Sequence, residues 1–373
     1  MIHRWLSSTR SDKFRMVMRF RIRNTEIFRK SSNVQGAHLV GSAPFKKSEE
    51  MFRIAGKHVG SHIARLGDGE VGERDTWIRF QNKRLAQSPQ LAPGPPVTTP
   101  DGRAGQTTYH IREEVKGSEI ELPDLGYAVA ALESYRTFEE LKQNGEIPPH
   151  VRFMVGLPTP LSVVSIYVDL ASRERVFAAH EKALMGEIKR VVDGIPHDQL
   201  SIQFEMVLEL MMLEGVKDHY SNDPRADMTD QFKRLCLSVP DDVELGWHLC
   251  YGDSGHKHFV EPKDTSHLVW VANTLTKVCA RPFNYLHIPV PRDRNDDAYF
   301  QPLTGLELRS ETKLYLGLIH MTGGEEGTNQ RIATASKYVA DFGIATECGF
   351  GRRPAEQIPT LLHMHSTLAK PLI

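Results

Sequence analysis

Short apolar runs alternate with longer amphipathic segments along most of the chain, from residue 37 almost to the C-terminus. The apolar runs are rich in β-branched and aromatic residues and end in polar or glycine-containing stretches, which is typical of strands. The segments between them show helical periodicity, most clearly at 46–63, 172–194 and 327–341. Eight strand-like runs can be recognised, at 37–44, 62–70, 151–159, 200–209, 244–253, 283–292, 313–321 and 341–349.

Eight successive strand and helix units predict an α/β fold, specifically a (β/α)8 TIM barrel. A segment rich in proline and glycine, at about 81–125, interrupts the alternation after the second strand. We expect it to form a loop insertion over the barrel mouth, with a β-hairpin made by 107–115 and 118–123. The alternative architecture is a doubly wound open sheet, which alternates strands and helices in the same way.

The overall charge gives no reason to expect a nucleic-acid partner, because 46 basic and 47 acidic residues nearly cancel. Residues 1–30 differ from the rest, with nine basic and two acidic side chains. We predict a basic, poorly ordered leader at 1–35 and a single barrel domain at 36–373. A mitochondrial targeting segment and a basic arm for a membrane surface or RNA are alternatives for the leader. No run of 18 apolar residues occurs, so we expect a cytoplasmic protein without a membrane partner, or a mitochondrial one.

Four cysteines, Cys236, Cys250, Cys279 and Cys348, are too few and too scattered for a disulfide framework. This pattern predicts a reducing compartment and free thiols. Cys236 and Cys279 lie in helical segments and are expected to be core residues. Cys250 differs, because His248 stands two positions before it in a strand, and alternate residues of a strand face the same side.

In a (β/α)8 barrel the functional groups gather at the C-terminal ends of the strands. Cys348 ends the last strand, so His248, Cys250 and Cys348 are candidate ligands of one metal ion. Thiolate and imidazole donors favour zinc over magnesium or calcium. A His-x-Cys pair also occurs by chance, and buried cysteines are commonly inert. Spacing alone therefore does not decide whether these residues bind a metal. Other polar residues at strand ends are candidates for substrate binding or catalysis: Ser42, Asp68, Glu70, Thr159, Glu205, Glu209, His287, His320 and Glu347.

The strand ends resemble the C-terminal catalytic barrel of the cobalamin-independent methionine synthase family, which is grouped with uroporphyrinogen decarboxylase-like barrels. The resemblance covers about 37–365 and consists of six motifs in the family's order: LVGSAP, DGEVGERDTWIRF, SIQFEMVLE, WHLCY, LGLIHM and ATECGFGRR. WHLCY and ATECGFGRR resemble the family's zinc motifs. They imply a Zn²⁺ cofactor held by His248, Cys250 and Cys348.

The resemblance also implies roles for substrate-binding and catalytic residues. Ser42 and Glu70 would bind an amino-acid thiol, Glu70 through its amino group, with Asp75 nearby. Glu205 stands at a pocket position where the family has aspartate. His320 corresponds to the family's histidine in proton transfer. The implied reaction transfers a methyl or alkyl group from a donor to a small-molecule thiol.

Two features depart from the family pattern. The family's fourth zinc ligand is a glutamate on the strand after His-x-Cys, but residues 285–292 contain no acid. His287 is one candidate for that position, Asp253, His256 and Glu347 are others, and the position can also stay open for substrate. The chain has no room for the second barrel that helps the family's plant and bacterial enzymes to bind folate, so the alkyl donor stays undefined.

The expected mechanism follows from charge. A thiol bound to zinc loses its proton and is a nucleophile at neutral pH, and His320 would protonate the leaving group. Two other functions stay open: a non-catalytic binding barrel, and a metal-free decarboxylase-type lyase with Glu205 or Asp68 as the acid. The lyase would bind substrate carboxylates through Arg292, Arg294, Arg352 and Arg353.

Overall fold

The computed structural model describes residues 34–97, 106–115, 117, 120–253 and 257–373. Eight parallel strands form one sheet, and two antiparallel strands form a separate hairpin. Each predicted run contains one strand of the large sheet, although the strands are shorter than the runs. In chain order the strands are β1 (Ala37–His38), β2 (Arg65–Gly67), β3 (Leu91–Val97), β4 (Gln106–Ile111), β5 (Arg152–Pro158), β6 (Leu200–Met206), β7 (Glu244–Leu249), β8 (Tyr285–Pro289), β9 (Lys313–Ile319) and β10 (Gly343–Thr346).

The large sheet closes on itself. Its order is β1-β10-β9-β8-β7-β6-β5-β2, so strands of the sheet that follow one another in the chain are neighbours. Ala37 of β1 bridges Ile63, just before β2, and its amide donates to the carbonyl of His62 at 2.8 Å. A doubly wound sheet would leave two edges open. The structure therefore confirms the (β/α)8 barrel.

Helices pack around the barrel and cover its outer face. In chain order the α-helices of the described residues are α1 (Ser48–Val59), α2 (Gln81–Leu85), α3 (Tyr127–Gln143), α4 (Pro160–Tyr167), α5 (Arg173–Gly194), α6 (Leu208–Leu213), α7 (Pro224–Leu237), α8 (Ser266–Val278), α9 (Asp297–Phe300), α10 (Gly324–Ala335) and α11 (Ile358–Leu368). In α1, for example, one face is apolar and buried, and its residues Met51, Phe52, Ala55 and Val59 recur at helical spacing. Of the three segments with the clearest helical periodicity, 46–63 contains α1 and 172–194 contains α5, whereas 327–341 overlaps only the later part of α10.

The insertion after β2 contains a hairpin, but its strands are not those predicted. Leu91 of β3 lies opposite Ile111 of β4, and Val97 lies opposite Gln106. We predicted 107–115 to pair with 118–123, whereas the actual partner of β4 contains three prolines, residues that are unfavourable inside a sheet. The hairpin tolerates the prolines of β3, since β3 is an edge strand whose ladder partner is β4 alone. Residues 120–123 of the predicted partner have no strand structure.

A buried ion pair fills the barrel interior at the N-terminal ends of the strands. Arg65 of β2 donates to Glu244 of β7, and its guanidinium lies 3.8 Å from the centre of the Tyr285 ring. A Cβ atom on Gly246 would lie 2.1 Å from that ring, so only glycine leaves room for the tyrosine. This end of the barrel is occupied by packed side chains, which leaves the opposite end for function.

Cys236 and Cys279 form a disulfide between the last turn of α7 and the residue after α8. The expectation of free thiols is therefore wrong for this pair. Their separation of 43 residues does not reveal that the ends of the two helices meet. Cys250 and Cys348 remain free thiols.

The barrel starts slightly before the predicted boundary at residue 36. Val34 is buried, and Gln35 pairs with Lys370 near the C-terminus. The rest of the predicted leader, residues 1–33, lies outside the described residues. No helix in the part of the chain that the structure describes is long and apolar enough to cross a membrane.

Candidate metal centre and substrate cavity

A cavity lies at the C-terminal ends of the barrel strands. Residues that the sequence analysis selected form part of its wall: Ser42, Glu70, Glu205, His248, Cys250 and Cys348. The other lining residues are Val40, Trp77, Val207, Gly252, Asp253, Phe259, Gly349 and Arg352. Sulfur, imidazole, carboxyl and apolar groups therefore meet in one cavity.

His248, Cys250 and Cys348 form a compact group of metal-ligand atoms. One ligand atom of each lies within 4.8 Å of the others, and the two sulfur atoms are 3.6 Å apart. β7 carries His248, and Cys250 follows directly after that strand, so the two side chains project to the same side. Cys348 follows β10. Two sulfurs and one imidazole are typical zinc donors, so the residues fit zinc.

The imidazole of His248 is oriented by a second histidine. The Nδ1 atoms of His248 and His287 are 2.7 Å apart, and Nε2 of His287 donates to the carbonyl of Thr346 at 3.0 Å. Among the described residues, Nε2 of His248 has no hydrogen-bond partner although it is buried. Burial lowers the pKa of His287 to about 3, and burial together with His287 lowers the pKa of His248 well below its usual value.

This arrangement bears on the missing fourth ligand. Both nitrogens of His287 are engaged in hydrogen bonds, which leaves no free lone pair for a metal and argues against the predicted ligand role. Asp253 lines the cavity, and Glu347 lies close to two histidines. His256 lies outside the described residues.

The thiol of Cys348 is protonated before a metal binds. Its hydrogen bond with Cys250 and its burial raise the pKa of Cys348 well above the usual value. Metal coordination would reverse this effect, because the ion stabilises the thiolate.

Glu70 and Glu205 bring two carboxyl groups together in the same cavity. A Cβ atom on Gly41 would lie 2.8 Å from Oε1 of Glu70 and 3.6 Å from Oε1 of Glu205, so this glycine makes room for both. Burial raises the pKa of Glu205 to about 7, and burial together with Glu205 raises the pKa of Glu70 well above its usual value. The pair therefore retains a proton at neutral pH, and a cation between the carboxyl groups would displace it.

Backbone strain is concentrated beside these carboxyl groups. Glu70 and Trp77 have φ angles of 52° and 56°, and within the described residues no other non-glycine residue has a positive φ. Asp68 accepts hydrogen bonds from the Glu70 amide, at 3.0 Å, and from the side chain of Arg74. The indole N–H of Trp77 donates to Glu205 at 2.9 Å. The strained turn thus positions the carboxyl group of Glu70 and the indole that donates to Glu205.

A guanidinium group balances the acidic wall. Arg352 lines the cavity and acts on both carboxyl groups, since its positive charge lowers the pKa of Glu70 and Glu205 against the effect of burial. The loop that carries it also holds Ser42, because the Phe350 amide donates to the Ser42 carbonyl at 2.6 Å. The cavity wall therefore contains both acidic side chains and a guanidinium group.

His320 does not line the cavity but belongs to a buried group beside it. Its Nε2 donates to the carbonyl of Val290 at 2.9 Å, and its Nδ1 lies 3.8 Å from Glu347. The second oxygen of Glu347 lies 3.3 Å from His258. Burial lowers the pKa of His320 well below its usual value. Burial would also lower the pKa of His258, but two neighbouring glutamates raise it to about 10.

Two predicted substrate-binding residues lie away from the cavity. Thr159 is fully buried, and its hydroxyl donates to Glu209, which also accepts hydrogen bonds from Ser162 and Gln231. Asp75 is exposed and does not line the cavity. A polar residue after a strand can either bind a ligand or anchor the helix that follows. The hydrogen bonds of Thr159 anchor the helix.

Two solved structures share this architecture. A B12-independent methionine synthase from Shewanella sp. W3-18-1, in complex with selenomethionine, has a TM-score of 0.62 and 14% sequence identity, covering 90% of this chain and 96% of its own. A protein from Listeria monocytogenes assigned as a vitamin-B12-independent methionine synthase has a TM-score of 0.51 and 14% identity, covering 91% and 100%. This chain has a methionine synthase-like barrel. No family model and no curated protein matches the sequence.

Three residues of the cavity wall, Trp77, Arg352 and Phe259, were not predicted as parts of this site. Trp77 lies in the quoted motif DGEVGERDTWIRF, yet nothing in its spacing indicated a bond to Glu205. Arg352 was considered for a lyase alone, and Phe259 was not considered. Arg352 and Phe259 lie on loops and Trp77 begins a short 3₁₀ helix, so strand alternation does not predict where these side chains point.

Proposed function

We propose that this chain is a zinc-dependent transferase of the methionine synthase type, which transfers a methyl or alkyl group to a small thiol. One observation carries the proposal: a single cavity combines a buried imidazole and two cysteine sulfurs with a pair of buried carboxyl groups. A structural zinc site is closed by four protein ligands and has no need of an adjoining cavity.

Zinc held by His248, Cys250 and Cys348 would supply the positive charge that keeps a substrate thiol deprotonated at neutral pH. These three residues leave a coordination position for that thiol, as in catalytic zinc sites. Val40 and Phe259 line the same cavity and limit the access of water to it.

The charged groups indicate the chemistry of the substrate. Glu70 and Glu205 would bind an ammonium group, which replaces the proton that the pair otherwise retains. Arg352 would bind a carboxylate, and Ser42 would contribute a hydroxyl. The Shewanella methionine synthase holds selenomethionine, an amino acid with a methylated selenium atom. An amino-acid thiol would present the same ammonium and carboxylate groups to this cavity.

His320 would handle the proton of the leaving group. Its Nδ1 faces the carboxylate of Glu347 at 3.8 Å, and its Nε2 is fixed by the Val290 carbonyl. A neutral imidazole beside a carboxylate is suited to relay a proton.

The lyase alternative has weaker support, since of its four arginines only Arg352 lines the cavity. Arg294 is paired with Asp296 at 2.7 Å, and Arg353 is buried outside the lining. A lyase that binds several carboxylates would need these groups in the cavity.

Metal analysis tests the zinc site. Protein purified under reducing conditions should contain about one zinc per chain by elemental analysis. Cys348→Ser and His248→Ala should each fall clearly below that ratio, because each removes one of three ligands. His197→Ala is the matched control, since His197 lies on a partly exposed turn and pairs with Asp242. Folded Cys348→Ser and His248→Ala proteins that retain stoichiometric zinc would refute the site.

X-ray absorption at zinc tests the substrate class. Homocysteine or cysteine should add one sulfur scatterer, and binding at neutral pH should release about one proton per thiol, because coordination lowers the thiol pKa. Coenzyme M and glutathione lack the compact amino-acid head and should bind more weakly. If no thiol in this panel adds sulfur, the transferase proposal fails and the lyase becomes the better explanation.

A further inference from the structure

His287 connects the two strands that carry the proposed zinc ligands. It lies opposite His248 in the parallel pairing of β7 and β8. Its Nδ1 is 2.7 Å from Nδ1 of His248, and its Nε2 is 3.0 Å from the carbonyl oxygen of Thr346 in β10. The hydroxyl of Thr346 donates in turn to the carbonyl of Cys348 at 2.7 Å. One buried side chain therefore links the histidine ligand to the strand of a cysteine ligand.

The partners determine which nitrogen atoms carry hydrogen. A carbonyl oxygen only accepts, so His287 carries its hydrogen on Nε2. His287 is fully buried, which favours the neutral ring. Its Nδ1 then has a lone pair that can accept a hydrogen bond. His248 must donate to that lone pair through its own Nδ1. Its Nε2 is left with a lone pair, buried and without a hydrogen-bond partner among the described residues. This is the form in which histidine binds a metal.

We propose that His287 is a positioning residue of the metal centre and not one of its ligands: it selects the tautomer of His248 and couples that ligand to the strand of Cys348. The inference rests on the proposed zinc-binding function. The second nitrogen of a zinc-bound histidine usually donates to a carboxylate, a carbonyl or water. A neutral imidazole in that place adds no negative charge, so Zn²⁺ with the thiolates of Cys250 and Cys348 has a net charge of zero before a substrate thiol binds. A neutral centre attracts that thiolate more strongly than an anionic one.

Two substitutions separate positioning from ligation. His287→Leu removes the acceptor and should weaken zinc binding by about 10- to 100-fold in competition with a chromophoric chelator, the range for loss of such a partner. His287→Asn keeps an acceptor oxygen near the position of Nδ1 and should restore most of the affinity. His180→Leu is the matched control, because it removes another fully buried histidine, on α5, outside the cavity lining.

Spectroscopy of the unaltered protein gives an independent readout. X-ray absorption should find one imidazole and two protein sulfurs per zinc, and ¹⁵N NMR of histidine-labelled protein should show His248 protonated at Nδ1 and His287 at Nε2. Two imidazoles per zinc, or a His287→Leu protein with unchanged zinc affinity, would overturn the inference and leave the zinc site intact. Absence of zinc from the unaltered protein would instead refute the proposed function, and the inference with it.

Discussion

At the scale of single residues, two acids five positions apart have opposite surroundings. Glu70 is buried in the cavity wall beside Glu205, whereas Asp75 is exposed and outside that wall. The family resemblance implies that both belong to the substrate site, but only the first has the geometry for it. A short turn separates them, and the positive φ of Glu70 directs its side chain inward in a way that sequence spacing does not reveal.

This contrast gives a paired test of the head-group site. Glu70→Gln should weaken the binding of amino-bearing thiols by about 1.5–3 kcal/mol, because it removes a charged hydrogen-bond partner. Asp75→Asn should leave the affinity unchanged. Titration calorimetry with homocysteine measures both. Equal effects of the two substitutions would show that general electrostatics, and not a contact with Glu70, determine the affinity.

The cluster of His248, Cys250 and Cys348 was the most predictable part of the candidate site. Strand periodicity places His248 and Cys250 on one side, and barrel topology brings Cys348 to the same end. The role of His287 could not be predicted, because a histidine at this position can be either a metal ligand or a hydrogen-bond acceptor for His248. That choice depends on an interatomic distance of 2.7 Å, which no sequence pattern reports.

At the scale of elements, the eight barrel strands could be predicted because buried parallel strands are continuous apolar runs. The inserted hairpin could not, since β3 contains three prolines and pairs along one edge with β4 alone. The disulfide between α7 and the end of α8 was missed for a related reason. It depends on how neighbouring helices align, which periodicity within each helix does not determine.

The packing of β7 against β8 predicts an asymmetry between two glycines. Gly246→Ala should destabilise the fold by about 1–3 kcal/mol or more, because the new methyl group would lie within the space of the buried Tyr285 ring. Gly186→Ala should stabilise it by about 0.5–1 kcal/mol, since this position lies inside α5 and has open space around it. Urea unfolding monitored by circular dichroism measures both. Similar effects at the two positions would contradict the close contact between Gly246 and the Tyr285 ring.

At the scale of the whole molecule, the disulfide is the covalent link that the sequence analysis did not foresee. Denatured, non-reduced protein should show two reactive thiols per chain, from Cys250 and Cys348, and four after reduction. Reduction should lower the free energy of unfolding by about 2–4 kcal/mol. The bond joins residues 43 positions apart and so restricts the conformations of the unfolded chain. A Cys236→Ala/Cys279→Ala protein should not respond to reductant. Four thiols before reduction would disprove the bond.

Closure of the barrel has a consequence for biosynthesis. β1 pairs with β10, and the cavity contains Ser42 from the segment after the first strand and Cys348 from the segment after the last. Domains commonly begin to fold while the ribosome is still adding residues. In this chain seven strands can associate during translation, but the third ligand of the proposed zinc centre is absent until the final strand has left the exit tunnel. We therefore expect metal loading to follow emergence of the last strand, and not folding of the first half of the barrel.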